Sequence, residues 1–61
     1  MTKAQRQHEI VNLLGRGGMV TVADLAEKFN ISPLTARRDL MDLQAQGLLS
    51  RTRGGAMLDE T

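Results

Sequence analysis

The chain has 61 residues and a formal net charge of +1, and its 41% hydrophobic and 25% charged content is that of an ordinary globular domain. It has no cysteine and one histidine, so we expect no disulfide, no metal site and no cofactor. No apolar run approaches the roughly 18 residues that cross a bilayer, and the first ten residues are too polar for a secretory signal, which predicts one small cytoplasmic domain without membrane contact.

The first two predicted helices flank a short strand. The apolar residues of the first helix recur at helical spacing, and Gly15 follows where a helix C-cap favours glycine. Residues 19–21 follow two glycines and are apolar and partly β-branched, which favours a strand. Thr21 or an adjacent residue can then cap a second helix with one apolar stripe. The apolar residues are Ile10, Leu13 and Leu14 in the first helix, and Val22, Leu25, Ala26 and Phe29 in the second.

A third helix begins after a turn with strong local signals. Residues 30–33, Asn-Ile-Ser-Pro, place a turn residue, an apolar residue that we expect to be buried, an N-cap serine and a proline at the first helical position. Gly47 suits the position just after the helix. The predicted core face consists of Ala36, Leu40 and Leu43. Two amphipathic helices joined by a turn of about four residues predict a helix-turn-helix.

Beyond Gly47 the composition becomes that of a β-hairpin. Residues 48–53 resemble a strand, Gly54 and Gly55 offer the positive φ values of a hairpin turn, and residues 56–58 can return as a second strand. With residues 19–21 these strands predict a three-stranded sheet. The predicted fold is mainly α with a small β-hairpin wing, a three-helix winged helix-turn-helix over residues 1–58. Residues 59–61 are predicted to start a linker or disordered tail.

The basic residues from Ser32 to Leu58 are all arginines, whose planar guanidinium suits phosphates and guanine edges. They are Arg37, Arg38, Arg51 and Arg53. The same segment contains only two acidic residues, Asp39 and Asp42. We interpret these two as part of an exposed charged face that aids solubility. The charge distribution therefore favours a nucleic-acid partner for the second half of the chain.

Two motifs at a fixed distance carry a family resemblance. Residues 35–40 are Thr-Ala-Arg-Arg-Asp-Leu, and residues 51–56 are Arg-Thr-Arg-Gly-Gly-Ala. With residues 6–10, the Gly-x-Val-x-Val-x-x-Leu stretch ending at Leu25, and residues 29–32, they resemble the N-terminal domain of the DeoR-type family of bacterial repressors. The resemblance covers nearly the whole chain in order and in register.

The resemblance implies a transcriptional regulator that binds double-stranded DNA, most often a repressor of carbohydrate utilisation genes. It implies that the third helix enters the major groove. Family members usually continue into a larger domain that binds a phosphorylated sugar, and we expect the full-length protein to be a homo-oligomer. We expect the present chain to be an isolated DNA-binding fragment that is monomeric when free.

The candidate DNA-binding residues of the third helix lie near its N-terminus, the end that docks deepest in helix-turn-helix complexes. They are Ser32, Leu34, Thr35, Arg37 and Arg38. Arg38 lies opposite the core face, so we expect it to contact a base edge, guanine in particular. Arg37 and Thr35 on the flanks are expected to contact phosphates. Ser32 is expected to cap the helix while a backbone amide nearby meets a phosphate.

The candidate wing residues are Arg51, Arg53, Gly54 and Gly55. The two arginines would place charge along the adjacent backbone or minor groove. Strict strand alternation puts both on the side of Leu49, which we expect to be buried, and the sequence does not resolve this conflict.

Two alternative interpretations stay open at this point. Arg37 and Arg38 could form a solvated face with local ion pairs to Asp39 or Asp42. The domain could also be a winged-helix protein-interaction module, with the third helix against a partner protein. An enzyme is not expected, because the chain has no cysteine and no paired carboxylates in an apolar setting.

Overall fold

A computed structural model describes residues 1–58 of the chain as three helices and three short strands. In chain order they are α1 (Lys3–Gly17), β1 (Met19–Thr21), α2 (Val22–Phe29), α3 (Pro33–Ala45), β2 (Leu49–Thr52) and β3 (Gly55–Leu58). The predicted winged helix-turn-helix fold is confirmed. The predicted linker or tail at 59–61 lies outside the described residues. No helix within residues 1–58 is both long and apolar enough to cross a membrane.

Helix α1 is longer than the sequence pattern indicates, and the prediction that Gly15 ends it is wrong. A capping box that sequence reasoning missed begins the helix: Thr2 and Gln5 each accept a hydrogen bond from the other's backbone N–H. The helix ends at Gly18, which adopts φ 81° and donates its N–H to the carbonyl of Leu14 at 2.8 Å. The left-handed conformation, which glycine tolerates, therefore occurs at Gly18, immediately before β1.

The turn between α2 and α3 is defined by side-chain caps. The hydroxyl of Thr21 accepts a hydrogen bond from the N–H of Asp24 at the start of α2, as predicted. Asn30 ends α2 in the left-handed region with φ 53°. Ser32 caps α3 and Pro33 takes its first position, also as predicted. Ile31 is half-buried rather than fully buried, and it packs against the edge of the core.

Gly47 ends α3 as predicted. It has φ 78°, and its N–H donates to the carbonyl of Gln44 at 2.9 Å. The next residue, Leu48, donates its N–H to the carbonyl of Leu43 at 3.1 Å. This pair of bonds is the Schellman pattern, which satisfies carbonyls that the helix leaves without partners.

The three strands form one antiparallel sheet in the order β1-β3-β2. Only one of the two glycines at the hairpin has the predicted positive φ: Gly54 has φ 81° and lies in the turn with Arg53. Gly55 is instead the first residue of β3, buried and paired with Thr21. A Cβ on Gly55 would overlap the carbonyl oxygen of Val20, so this glycine permits the close approach of β1.

The core lies between the three helices and the inner face of the sheet. Its apolar side chains come from all six elements, and they include the predicted core face of α3. The buried residues are Ile10, Leu14, Val20, Val22, Leu25, Ala36, Leu40, Leu43, Leu49 and Ala56. Leu13, Ala26 and Phe29, predicted on the apolar faces of α1 and α2, lie outside this fully buried set.

Candidate nucleic-acid interface

The outward side of α3 carries two arginines and two large apolar side chains. Arg37 and Arg38 are exposed, and Leu34 and Met41 are 56% and 53% exposed. At 100° per residue Leu34, Arg38 and Met41 lie opposite the core face, and Arg37 lies on the flank. The exposure of Arg38 opposite the core face and of Arg37 on the flank agrees with their predicted positions.

The first turn of α3 is held by Ser32. Its hydroxyl oxygen accepts a hydrogen bond from the N–H of Thr35 at 3.1 Å and lies 3.0 Å from the hydroxyl of Thr35. Thr35 is half-buried and Ser32 is exposed. Because Pro33 also fixes its own φ, the backbone that presents Leu34 is ordered before any ligand arrives.

The other side of α3 carries a buried ion pair that sequence reasoning missed. Asp39 is 1% exposed and accepts two hydrogen bonds from the guanidinium of Arg6 in α1, one from Nε and one from Nη2 at 3.0 Å. Gln7 adds a longer contact to the same carboxylate at 3.5 Å. The hydrogen bonds to Asp39 raise the pKa of Arg6 above its ordinary value. Our interpretation of Asp39 as part of an exposed charged face is therefore wrong.

Asp42, one turn further along α3, also pairs with α1. Its carboxylate lies 2.7 Å from the ammonium of Lys3 and accepts a hydrogen bond from Gln7 at 3.3 Å. The hydrogen bond and positive charge of Lys3 lower the pKa of Asp42. Both partners are about half exposed, with side-chain exposures of 63% for Lys3 and 45% for Asp42.

These two pairs decide between the interpretations of Arg37 and Arg38. Within residues 1–58 the ion pairs are those of Arg6 with Asp39 and of Lys3 with Asp42. The local ion pairs considered for Arg37 and Arg38 are therefore absent from this part of the chain. The acidic side chains of α3 are engaged by α1, whereas its basic side chains face solvent.

The wing presents Arg51, Arg53 and Gly54, all exposed. Arg51 is opposite the buried Ala56 in the sheet, and so it is on the same side as Leu49. Leu49 is buried where β2 contacts α3, and Arg51 is exposed two residues further along. Arg51 is thus exposed on the edge strand of the sheet, although Ala56 opposite it in the central strand is buried, and this resolves the conflict noted in the sequence. Arg53 is in the turn, where strand alternation no longer applies.

The predicted site residues thus fall into two groups, and all of them are exposed except the half-buried Thr35 and the buried Gly55. Residues 32–38 occupy the start of α3, and Arg51, Arg53 and Gly54 occupy the wing. Gly55 is buried between strands and offers no surface to a ligand.

A sequence signal for the pair of Arg6 and Asp39 does exist. On a helical wheel Asp39 is about 40° from Leu43, so it faces the core. A carboxylate in that position requires a cationic partner. The periodicity of α3 therefore indicates that Asp39 is paired, although it does not indicate with which residue.

Two named relatives align with nearly the whole chain. The lactose phosphotransferase system repressor of Lactococcus lactis subsp. lactis is 45% identical over 58 residues, which are 95% of this chain and 23% of that repressor. The HTH-type transcriptional regulator UlaR of Salmonella arizonae is 45% identical over 56 residues, which are 92% of this chain and 22% of that regulator. The chain spans less than a quarter of the length of these relatives. No solved structure shows a significant match.

The family comparison agrees with the helix-turn-helix fold. Residues 6–61 match the model of the DeoR-like helix-turn-helix domain. The matched range includes the α2–α3 pair, the wing and both partners of the Arg6–Asp39 ion pair. The chain therefore belongs to the DeoR-like helix-turn-helix domain family, a family of DNA-binding transcriptional regulators.

Proposed function

We propose that this chain is the DNA-binding part of a repressor of carbohydrate utilisation genes, with α3 in the major groove and the wing on the adjacent backbone. One observation carries the mode of binding: Asp39 and Asp42 are engaged by α1, which leaves the arginine face of α3 without acidic competitors. A face with only positive charge attracts the phosphates that flank a groove. The name of one relative, the lactose phosphotransferase system repressor, supports the carbohydrate role.

The exposed arginines and the ends of the two elements have separate roles in this proposal. Arg38 donates to a guanine edge, since a guanidinium matches the two acceptors of guanine in the major groove. Arg37 contacts a phosphate on the flank of α3, and a backbone amide near Ser32 meets another at the positive end of the helix. Arg51 and Arg53 lie along the next stretch of backbone or in the minor groove, with Gly54 at the turn.

Two predicted residues have smaller roles. The hydroxyl of Thr35 lies 3.0 Å from that of Ser32, so Thr35 contacts a phosphate only with a hydroxyl that already takes part in the cap. Gly55 is removed from the set of contacts because it is buried, and its role is to hold the wing against β1.

The proposal also covers the rest of the protein to which this chain belongs. Because the chain spans less than a quarter of its relatives, the remaining residues of such a protein have room for a sensor domain and for an oligomer interface. We assign to them the binding of a phosphorylated sugar and the formation of a homo-oligomer in the cytoplasm. Two domains in one oligomer would then occupy half-sites about one duplex turn apart.

Fluorescence anisotropy with a labelled duplex tests the DNA proposal. The 61-residue chain and its Arg37→Ala/Arg38→Ala variant are titrated at low and moderate salt. We expect the double substitution to weaken binding at least about tenfold and to reduce the salt slope by about one for each phosphate that is no longer neutralised. Circular dichroism should show the same helical content for both proteins, because both arginines are exposed.

Arg16→Ala is the matched control, because Arg16 is an exposed arginine at the end of α1, outside both α3 and the wing. It should bind as the unsubstituted chain does. An equal loss in the control and the double variant would contradict the proposed binding face. No binding at low salt would contradict DNA binding by this chain and favour a protein-interaction module.

A further inference from the structure

Leu34 occupies the centre of the outward face of α3. At 100° per residue, Leu34 is about 160° from Ala36 and about 180° from Leu43, the buried side of the helix. Arg38 and Arg37 lie about 40° and 60° to either side of it. Leu34 is 56% exposed, so a large apolar side chain stands between two cations at the point of the helix farthest from the core.

We propose that Leu34 determines sequence specificity by packing against the 5-methyl group of a thymine, within about two base pairs of the guanine contacted by Arg38. The inference rests on the proposed function and adds the base that this side chain recognises. Thymine is distinguished from the other bases in the major groove by this methyl group, and apolar side chains are the groups that contact it.

The position of Leu34 fits a base edge better than it fits a phosphate or a partner protein. The flanking arginines give the face the charge that duplex DNA requires, and the acidic residues of α3 are paired elsewhere. Side chains lean towards the N-terminus of their helix, so Leu34 extends towards the end that enters a groove most deeply. An apolar group there gains nothing from a phosphate but excludes water from a methyl group.

The spacing between Leu34 and Arg38 sets the expected distance between the two bases. Four residues of α-helix rise about 6 Å, and stacked base pairs are about 3.4 Å apart. The caps on the first turn hold this spacing, because Ser32 bonds the N–H of Thr35 and Pro33 fixes its own φ. The two side chains therefore sample neighbouring base pairs of one site.

The test uses deoxyuridine, which lacks only the methyl group of thymidine. Duplexes that the chain prefers are first selected from a random library, and each thymine is then replaced singly by deoxyuridine. Binding is measured by fluorescence anisotropy for the unsubstituted chain and for Leu34→Ala. We expect one position at which the replacement weakens binding about fourfold, the effect of one methyl group leaving an apolar environment. At that position the replacement of thymine by deoxyuridine should not weaken binding by the Leu34→Ala variant.

Leu48→Ala is the matched control, because Leu48 is a 41% exposed leucine that follows α3 and lies off its outward face. Its binding should weaken about fourfold on the same deoxyuridine replacement, as that of the unsubstituted chain does. An equal deoxyuridine effect in Leu34→Ala, no effect at any thymine, or the absence of sequence preference would overturn the role of Leu34. If DNA binding persists in those cases and still depends on Arg37 and Arg38, the proposed function stands. Loss of all DNA binding would overturn both.

Discussion

The two sides of α3 carry opposite charges: the acidic side chains are paired with α1, and the basic side chains are exposed to solvent. On the inner side Asp39 and Asp42 are engaged by Arg6 and Lys3 of α1. On the outer side Arg37 and Arg38 extend into solvent, and no acidic residue within 1–58 pairs with them. The acidic and basic residues nearly cancel in the net charge of +1, yet they act in different places.

This difference teaches that a small net charge is compatible with a strongly basic face. The ion pairs on the inner side join α3 to α1, so the acidic residues contribute to the position of α3 instead of opposing phosphates. Substitutions on the inner side should therefore change stability first, and those on the outer side should change DNA binding with little effect on stability. The following predictions test that division.

The largest expected effect is that of Arg6→Ala. This substitution leaves the carboxylate of Asp39 buried without its cation, and removing one partner of a buried pair costs about 3–5 kcal/mol. The free energy of unfolding should fall by that amount in urea titrations at neutral pH followed by circular dichroism. A loss below about 1 kcal/mol would contradict the view that Asp39 depends on Arg6.

The control for this prediction replaces both partners. In Arg6→Met/Asp39→Leu two apolar side chains occupy the place of the ion pair, and such replacements are often neutral or stabilising. The double variant should therefore recover most of the stability that Arg6→Ala loses. Its recovery would show that the deficit of the single variant comes from an uncompensated charge and not from lost packing.

A second prediction distinguishes the two glycines of the wing, Gly55 packed against β1 and Gly54 in the turn. In Gly55→Ala the new methyl group overlaps the carbonyl of Val20 and lies 2.9 Å from the Cα of Thr21, so β1 must move away from β3. Forced overpacking of this kind costs about 2–3 kcal/mol. Thermal unfolding and the amide shifts of β1 measure the effect.

Gly54→Ala is the matched control at the tip. A Cβ there meets open space, and the cost comes only from its φ of 81°, for which about 1 kcal/mol is expected. Equal losses for the two glycines would contradict the assignment of Gly55 to close packing and Gly54 to the turn.

The smallest expected effect concerns the exposed pair of Lys3 and Asp42. Because Lys3 lowers the pKa of Asp42, the stabilisation by this pair is present above the unfolded value of about 3.9 and is lost as the pH falls through the lower folded value. Lys3→Met should raise the pKa of Asp42 towards its ordinary value in an NMR titration. The same titration of Arg16→Met should show no change at Asp42, and a change there would point to a long-range charge effect.

Local signals predict much of the fold, since each involves residues close in sequence. Ser32 and Pro33 begin α3 and Gly47 ends it because caps act within one turn. Helical periodicity places Asp39 on the core side, but such signals do not identify its partner, because Arg6 is 33 residues away. Several glycines near the end of α1 can each end a helix, and only the start of β1 selects Gly18 among them.

In the candidate site, too, some features follow from residues close in sequence and others depend on residues far apart in sequence. The outward placement of Arg38 follows from helical periodicity alone. The exposure of Arg51 does not, because it depends on the position of β2 at the edge of the sheet, which is set by pairing with β3. The strand position of Gly55 likewise depends on its pairing with Thr21 in a strand remote in sequence.

The hydrogen bond from the N–H of Val22 to the carbonyl of Gly54, at 2.8 Å, ties the wing turn to the first residue of α2. Helix α2 in turn packs on α3, so the turn and the outward face of α3 have a defined separation before DNA arrives. A duplex whose grooves do not match that separation must bend or change its groove width to meet both. We therefore expect DNA stiffness, which varies with base sequence, to contribute to affinity at base pairs that no side chain touches.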